Sequence, residues 1–336
     1  MTDDIPADRR PPDAPVALHA EHWNTKVQED ISELCQRHVT ECPSIRSVAH
    51  YSNGILDFVV HVHDAEPLRG GLLVDHRIDA EGRPGHQLVR CVQDIDRSLA
   101  PLRTGELMRT VVGTPTGALY CGRVKADQHL VGITVDGDGI DAMDGQLNKL
   151  VTEMRILMNL PNEYLGGLEL PYLVPDGTEG LQFLTGHTVD EPSEARLRGL
   201  WHRFVNHTDL QYLAYYRGWE LICVGDAFDS PHLGLRFLAI EPDSRRRKYR
   251  DIAGGLRTDI ARLRDALHSI TRDPIDRLVL DVQEGAVYIH WLPGGRSGDF
   301  LLGVTLDQHQ VGNAERRLRE VLNELPPPSP RSRFRR

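Results

Sequence analysis

The chain repeats itself, and that limits its folds more than any other feature. Gly117-Ala118-Leu119-Tyr120 matches Gly285-Ala286-Val287-Tyr288 at an offset of 168 residues. Further on, Leu130-Val131-Gly132-Ile133-Thr134-Val135-Asp136 matches Leu301-Leu302-Gly303-Val304-Thr305-Leu306-Asp307 at an offset of 171. The three extra residues fall at Pro293-Gly294-Gly295, a turn where insertion costs little. The offset of 171 then carries the helical stripe Leu147, Leu150, Val151, Met154 onto Leu318, Val321, Leu322, Leu325. Upstream, Ala49-His50-Tyr51 and Gly54 find Ala214-Tyr215-Tyr216 and Gly218. Matches that keep their order over a domain length indicate a duplicated unit.

Each copy reads alike. An amphipathic helix comes first, marked by Val27, Ile31, Leu34 and Cys35, and by Leu197, Leu200, Trp201 and Phe204. A hairpin follows, around Asn53-Gly54 in copy one and Arg217-Gly218 in copy two. A middle helix is expected near 86–102 (Leu88, Val92, Ile95, Leu99) and near 250–270, where Ile252, Leu256, Ile260, Leu263, Leu267 and Ile270 make a stripe of period 3.6. Three strands and a closing helix, at 145–158 and 314–325, complete each copy. The fold class is therefore α/β in the broad sense (α+β), a tandem duplication of an α-β-β-α-β-β-β-α domain. Short turns between neighbouring strands require antiparallel pairing.

The domain plan assigns 1–20 to a disordered N-terminus, 21–158 to copy one, 159–193 to a linker, 194–325 to copy two and 326–336 to a disordered basic tail. The linker is too rich in Leu, Tyr and Phe for a free tether. Copy one carries an insert at 64–85, expected as an extra edge strand or a mobile loop.

The pattern of a Gly-apolar-Tyr strand, an Leu-x-Gly-apolar-Thr strand and an amphipathic helix, after an early Asn-Gly hairpin, resembles the Roadblock family, the dynein light-chain or longin/profilin-like group. The resemblance covers roughly 27–158 and 194–325. It implies a five-stranded antiparallel sheet with two helices on one face and the middle helix on the other. It also implies domains that pair through the middle strand and middle helix, no cofactor, and a partner among small Ras-like GTPases. Two copies on one chain would then pair as an intramolecular pseudo-dimer. On this reading the partner-binding candidates lie on the middle helices: Arg90, Asp94, Arg97, Gly254, Gly255, Arg257 and Arg264. The adjacent glycines are expected either to mark the start of the helix or to admit another helix closely.

The motifs of chemistry are weak by comparison. His61-Val62-His63-Asp64 puts two histidines on one side of a strand, yet Ala65 and Glu66 stand where a metallo-hydrolase pattern needs Asp and His, so both histidines are expected at the solvent face. Asp136-Gly137-Asp138-Gly139 opens like a calcium loop but ends on Leu147 rather than Glu, so a turn is expected, with Asp144 as helix N-cap. No GxxxxGK[ST], GxSxG or strand-borne GxGxxG is present. No catalytic, cofactor-binding or metal-binding residue is assigned, and the chain is not expected to be an enzyme.

Five cysteines without a CxxC pair, and an acidic, Pro-rich start without an apolar core, point to the cytoplasm; the Asn206-His207-Thr208 sequon is expected to be silent. No apolar run reaches bilayer length, so no membrane insertion is expected. A net charge of −10 argues against nucleic-acid binding. The basic run from Arg245 to Arg250 is expected as a solvated loop. Function is thus expected to be non-catalytic: a scaffold or regulator of a small Ras-like GTPase or, alternatively, an adaptor or chaperone-like module for a client or secretion-system protein.

Overall fold

The computed structural model describes residues 15–22, 26–62, 78–161, 163, 180–186, 189–267, 272–295 and 298–325, apart from the side chains of 78–84. The first half of the chain runs β1 (Pro15–His19), α1 (Lys26–Glu41), β2 (Ser47–Ser52), β3 (Ile55–Val62), α2 (Ile78–Leu99), β4 (Leu107–Thr114), β5 (Gly117–Lys125), β6 (Gln128–Thr134) and α3 (Ile140–Leu157). The second half runs β7 (Gln182–Thr185), α4 (Glu191–Phe204), β8 (Tyr212–Arg217), β9 (Glu220–Asp226), α5 (Pro242–Leu267), β10 (Arg277–Val282), β11 (Gly285–Trp291), β12 (Phe300–Thr305) and α6 (Val311–Glu324).

The chain divides into two compact units. One comprises 1–90, 116–162 and 265–273; the other comprises 91–115, 163–264 and 274–336. In the first unit the strand order is β1-β3-β2-β6-β5, and these neighbours pair antiparallel. Helix α1 buries Ile31, Cys35 and Val39, and α3 buries Met143, Leu147, Leu150, Val151 and Met154. Each large apolar side chain so buried stabilises by roughly 1.5–3 kcal/mol before conformational entropy is charged against it.

In the second unit the order is β4-β10-β11-β12-β8-β9-β7, again antiparallel. Here β4, from the first half of the sequence, lies in register against β10 from the second: Val111 faces Val279 and Arg109 faces Asp281. Trp201 of α4 is fully buried and its indole N–H donates to the Leu213 carbonyl at 2.8 Å.

The repeated glycines have a packing reason. A Cβ at Gly132 would lie 2.1 Å from Leu147 Cδ1, so a larger residue would displace that side chain where α3 settles on β6. Gly303 holds the same relation to Leu318 of α6, at 3.2 Å. Both hairpin turns have positive φ at their two central residues, the geometry that suits the twist of paired strands. These residues are Asn53 and Gly54 in one turn and Gly218 and Trp219 in the other. The second turn is therefore Gly218-Trp219, one residue later than the expected Arg217-Gly218, and a tryptophan holds a left-handed conformation there.

Several expectations are corrected. Residues 15–19, expected as disordered, add strand β1 to β3. The expected linker contains β7, which pairs with β9, and the first turn of α4. That turn starts at 191 because the Asp190 carboxylate accepts the Ser193 N–H and Pro192 suits the first turn. Residues 245–250 are helix, not loop, with Arg245, Arg246 and Tyr249 buried. Asp144 lies inside α3 and is buried; Gly139 is the N-cap residue. The insert at 64–85 lies outside the described residues up to 77, and from 78 it is the beginning of α2. The tail 326–336 lies outside them too.

Candidate functional site

The most concentrated chemistry of the first unit surrounds Asp57. A bulge in β3 sets Phe58 against His50 and Leu56 against Tyr51, leaving Asp57 as the extra residue. Its carboxylate accepts from His50 Nδ1 at 2.7 Å, Ser52 Oγ at 2.6 Å and His22 Nε2 at 2.8 Å. Burial works to raise its pKa, but the hydrogen bonds from His50, Ser52 and His22 outweigh it and hold the carboxyl below its usual range. Serine and histidine thus converge on one carboxylate oxygen, Asp57 Oδ2. The shared carboxylate ties β2 to the bulge in β3. His61, expected at the solvent face, is buried at 6% exposure; His63 lies outside the described residues. Among the described residues no group of three or more His, Cys, Asp or Glu is placed to hold a metal ion.

His129 on β6 belongs to the same unit. Burial, then the Arg123 charge, pushes its imidazole down to about 4. In the unfolded chain the group titrates near 6.5. Below that value the unfolded state therefore takes up a proton that the folded state refuses. Stability is lost as pH falls from about 6.5 to about 4, by about 3 kcal/mol at most. His129→Leu is expected to flatten that part of the profile in urea unfolding at pH 7 and pH 4.5. An unchanged pH dependence would show that His129 is not the group responsible.

The expected binding residues lie on α2 and α5. Residues 91–99 of α2 and α5 as far as Arg264 belong to the second unit. There the two helices are joined by polar contacts. Ser98 Oγ donates to Asp259 Oδ2 at 2.6 Å, and Asp94 pairs with Arg262 at 3.6 Å and also with Arg97. Burial, then Asp94, pushes the thiol of the half-buried Cys91 up, so it stays protonated at neutral pH. Asp96 Oδ1 accepts the Leu107 N–H at 2.7 Å, tying the end of α2 to the start of β4.

Arg90, Arg97, Arg257 and Arg264 are exposed, while Asp94 is half-buried between its two arginines. Arg257 lies over the Trp219 ring at 5.3 Å, and that ring meets Phe300 edge-on at 5.0 Å. Gly254 and Gly255 sit in the middle of α5, not at its start, and are exposed. A Cβ at either would meet nothing within 4 Å, so no described helix approaches closely there. The expectation of a close approach within the chain is corrected on that ground. Sequence reasoning missed Ser98, Asp259, Arg262 and Trp219. The spacing of Asp94 with Ser98, and of Asp259 with Arg262, was the available signal: each pair shares a helix face one turn apart.

Among the described residues, no helix is long and apolar enough to cross a membrane. Asn206 is buried with its amide donating to Phe204 O and Asp209, leaving the sequon no accessible nitrogen. No protein-family model matches the chain, and no curated protein matches it. Among solved structures the chain is similar to a Roadblock/LC7 domain from Streptomyces avermitilis, at 14% identity and a TM-score of 0.28, over 38% of this chain and 96% of that one.

Proposed function

We propose that this chain is a single-chain platform that binds another protein, a small Ras-like GTPase, on the outward face of α2 and α5. Two Roadblock-like copies pair through β4 and β10 to build it, and it works as a scaffold or regulator without chemistry of its own. The observation that carries the reading is the β4–β10 ladder with α2 and α5 joined in the same unit. That ladder and those contacts support a pairing of copy one with copy two through these strands and helices.

Equivalent details support the duplication. Arg37 on α1 pairs with Glu153 on α3, and Arg203 on α4 pairs with Glu324 on α6. Tyr120 donates to Asn148 of α3, and Tyr288 donates to the Val311 carbonyl of α6. Both leading hairpins carry a bulge at the same place, leaving Asp57 unpaired in β3 and Ile222 in β9. The exposed arginines of α2 and α5 suit a partner with an acidic or phosphate-bearing surface. The choice of a GTPase rests on the sequence resemblance alone.

Affinity capture from the native host, with bound proteins identified by mass spectrometry, tests the reading. A small GTPase is expected with the native chain, and Arg97→Glu, Arg257→Glu and Arg264→Glu together should reduce its recovery at least about tenfold. Recovery of secretion-system or client proteins instead would favour the adaptor reading. Equal recovery of a GTPase with the triple variant would remove the α2–α5 face from the account.

A further inference from the structure

Three turns of the second unit enclose a pocket of about 240 Å³, none of whose lining residues lies on α2 or α5. The turn after α4 brings His207, the short helical segment Pro231–Phe237 brings His232 and Arg236, and the turn before α6 brings Asp307. Gln211, 1% exposed, ties the three together. Its side-chain amide donates to the His207 carbonyl at 3.0 Å and accepts the Leu306 N–H at 2.8 Å. Its backbone carbonyl accepts the Ala227 N–H at 2.9 Å, where the chain begins its path to Pro231. The pocket is thus held in shape before any ligand arrives, which lowers the cost of binding.

His207 and His232 stack with ring centroids 4.4 Å apart and planes 23° from parallel. Imidazole lone pairs lie in the ring plane, so two stacked rings do not converge on one metal ion about 2.0–2.1 Å from each nitrogen. Stacked rings do place two N–H donors side by side, as two oxygens of one oxyanion require. His207 Nδ1 is buried without a hydrogen-bond partner among the described residues, which leaves Nε2 to meet a ligand. Arg236 adds positive charge, with one guanidinium nitrogen 3.2 Å from Asp307 Oδ2. The other oxygen of Asp307 accepts the His309 N–H at 3.0 Å. Asp307 therefore positions the guanidinium, whose remaining N–H groups can turn to a ligand. The fold does not require these groups. At the offset that carries Ala49 onto Ala214, His207 falls on Cys42, and copy one builds the same turn without an imidazole.

We infer that this pocket binds a phosphate group, free or as a small phosphomonoester, with Arg236, His207 and His232 as its donors. A guanidinium matches phosphate oxygens in pairs, and imidazole N–H groups complete the shell. Leu233 and Leu306, both buried, supply the apolar part of the lining. The volume lies below the roughly 300–1,000 Å³ of pockets for drug-sized ligands, which suits a phosphate with few further atoms.

Isothermal titration calorimetry of the full-length chain with inorganic phosphate and with glycerol phosphate, at constant ionic strength, tests this. One-to-one binding with a Kd of about 1 mM or tighter is expected. Arg236→Gln and His232→Gln, both at exposed positions, should each weaken it at least about tenfold. Arg247→Ala removes an exposed arginine outside the pocket and should leave binding unchanged. Heteronuclear NMR of the histidine side chains gives a readout on the native chain itself. Phosphate should shift the His207 and His232 signals and leave that of His202, on α4, in place. Tighter binding of the ester would support an esterified ligand, and tighter binding of the free ion would support inorganic phosphate. Absence of both saturable heat and imidazole shifts would overturn the inference. Equal affinity in Arg236→Gln and the native chain, or acetate competing as well as phosphate, would overturn it too.

Discussion

Asp281→Ala is expected to lower stability by about 3–5 kcal/mol, because it removes a buried counter-charge of the fully buried Arg109 guanidinium. Both side chains are fully buried, and Arg109 Nε donates to Asp281 Oδ2 at 3.1 Å across the β4–β10 ladder. Gln308 donates to the other carboxylate oxygen at 2.7 Å, so the alanine also leaves a buried amide without its acceptor. Arg109→Met together with Asp281→Leu should recover most of the loss, since an apolar pair of similar volume avoids burying charge. Urea unfolding of the three proteins decides the matter. A single variant costing under about 1 kcal/mol would show that the pair is not buried as described.

Arg246→Ala should have an effect of similar size, about 3–5 kcal/mol. Its guanidinium grips Asp226 of β9, with Nε at 3.0 and 2.9 Å from the two carboxylate oxygens, and also holds Asp229 at 2.8 Å and Asp243 at 2.7 Å. Asp226 is itself buried, so the alanine leaves a carboxylate without its counter-charge. Arg246→Lys should recover only part of the loss, because an ammonium cannot match a forked geometry. Its neighbour Arg247 is exposed, and Arg247→Ala should fall within about 0.5 kcal/mol of the native protein. Equal effects at 246 and 247 would contradict this description of the start of α5.

The same residues show where the sequence stops being readable. Arg245 to Arg250 reads as a solvated charge run, because nothing local reveals that Asp226, twenty residues earlier, arrives beside Arg246. His61 reads as an outward residue of a half-exposed strand. It is buried because β3 runs between β1 and β2, and β1 is too short a stretch to register as a strand. β7 is illegible for the same reason; four residues carry almost no periodicity. By contrast, the Gly-apolar-Tyr and Leu-x-Gly motifs were legible, since a glycine kept beside a helical stripe marks a close approach. Gly132 under Leu147 and Gly303 near Leu318 are such approaches. The helical stripes of α2 and α5 gave those helices, though each begins eight residues before its expected start, α2 at Ile78 and α5 at Pro242. At the candidate site the exposed arginines were legible as surface charge. The Ser98–Asp259 and Asp94–Arg262 contacts were not, because they join residues more than 160 positions apart.

The claim on which everything else rests is that one chain supplies both halves of the paired platform. Val111 and Val279 face each other across β4 and β10, and directly opposed residues of an antiparallel pair lie within about 4.5–5.5 Å, close enough for a disulfide. Val111→Cys together with Val279→Cys, oxidised at low protein concentration and resolved by non-reducing electrophoresis and peptide mapping, measures the pairing directly. The account predicts an intrachain 111–279 disulfide in a monomer. Free thiols at both positions, or a cross-link that joins two chains, would contradict it.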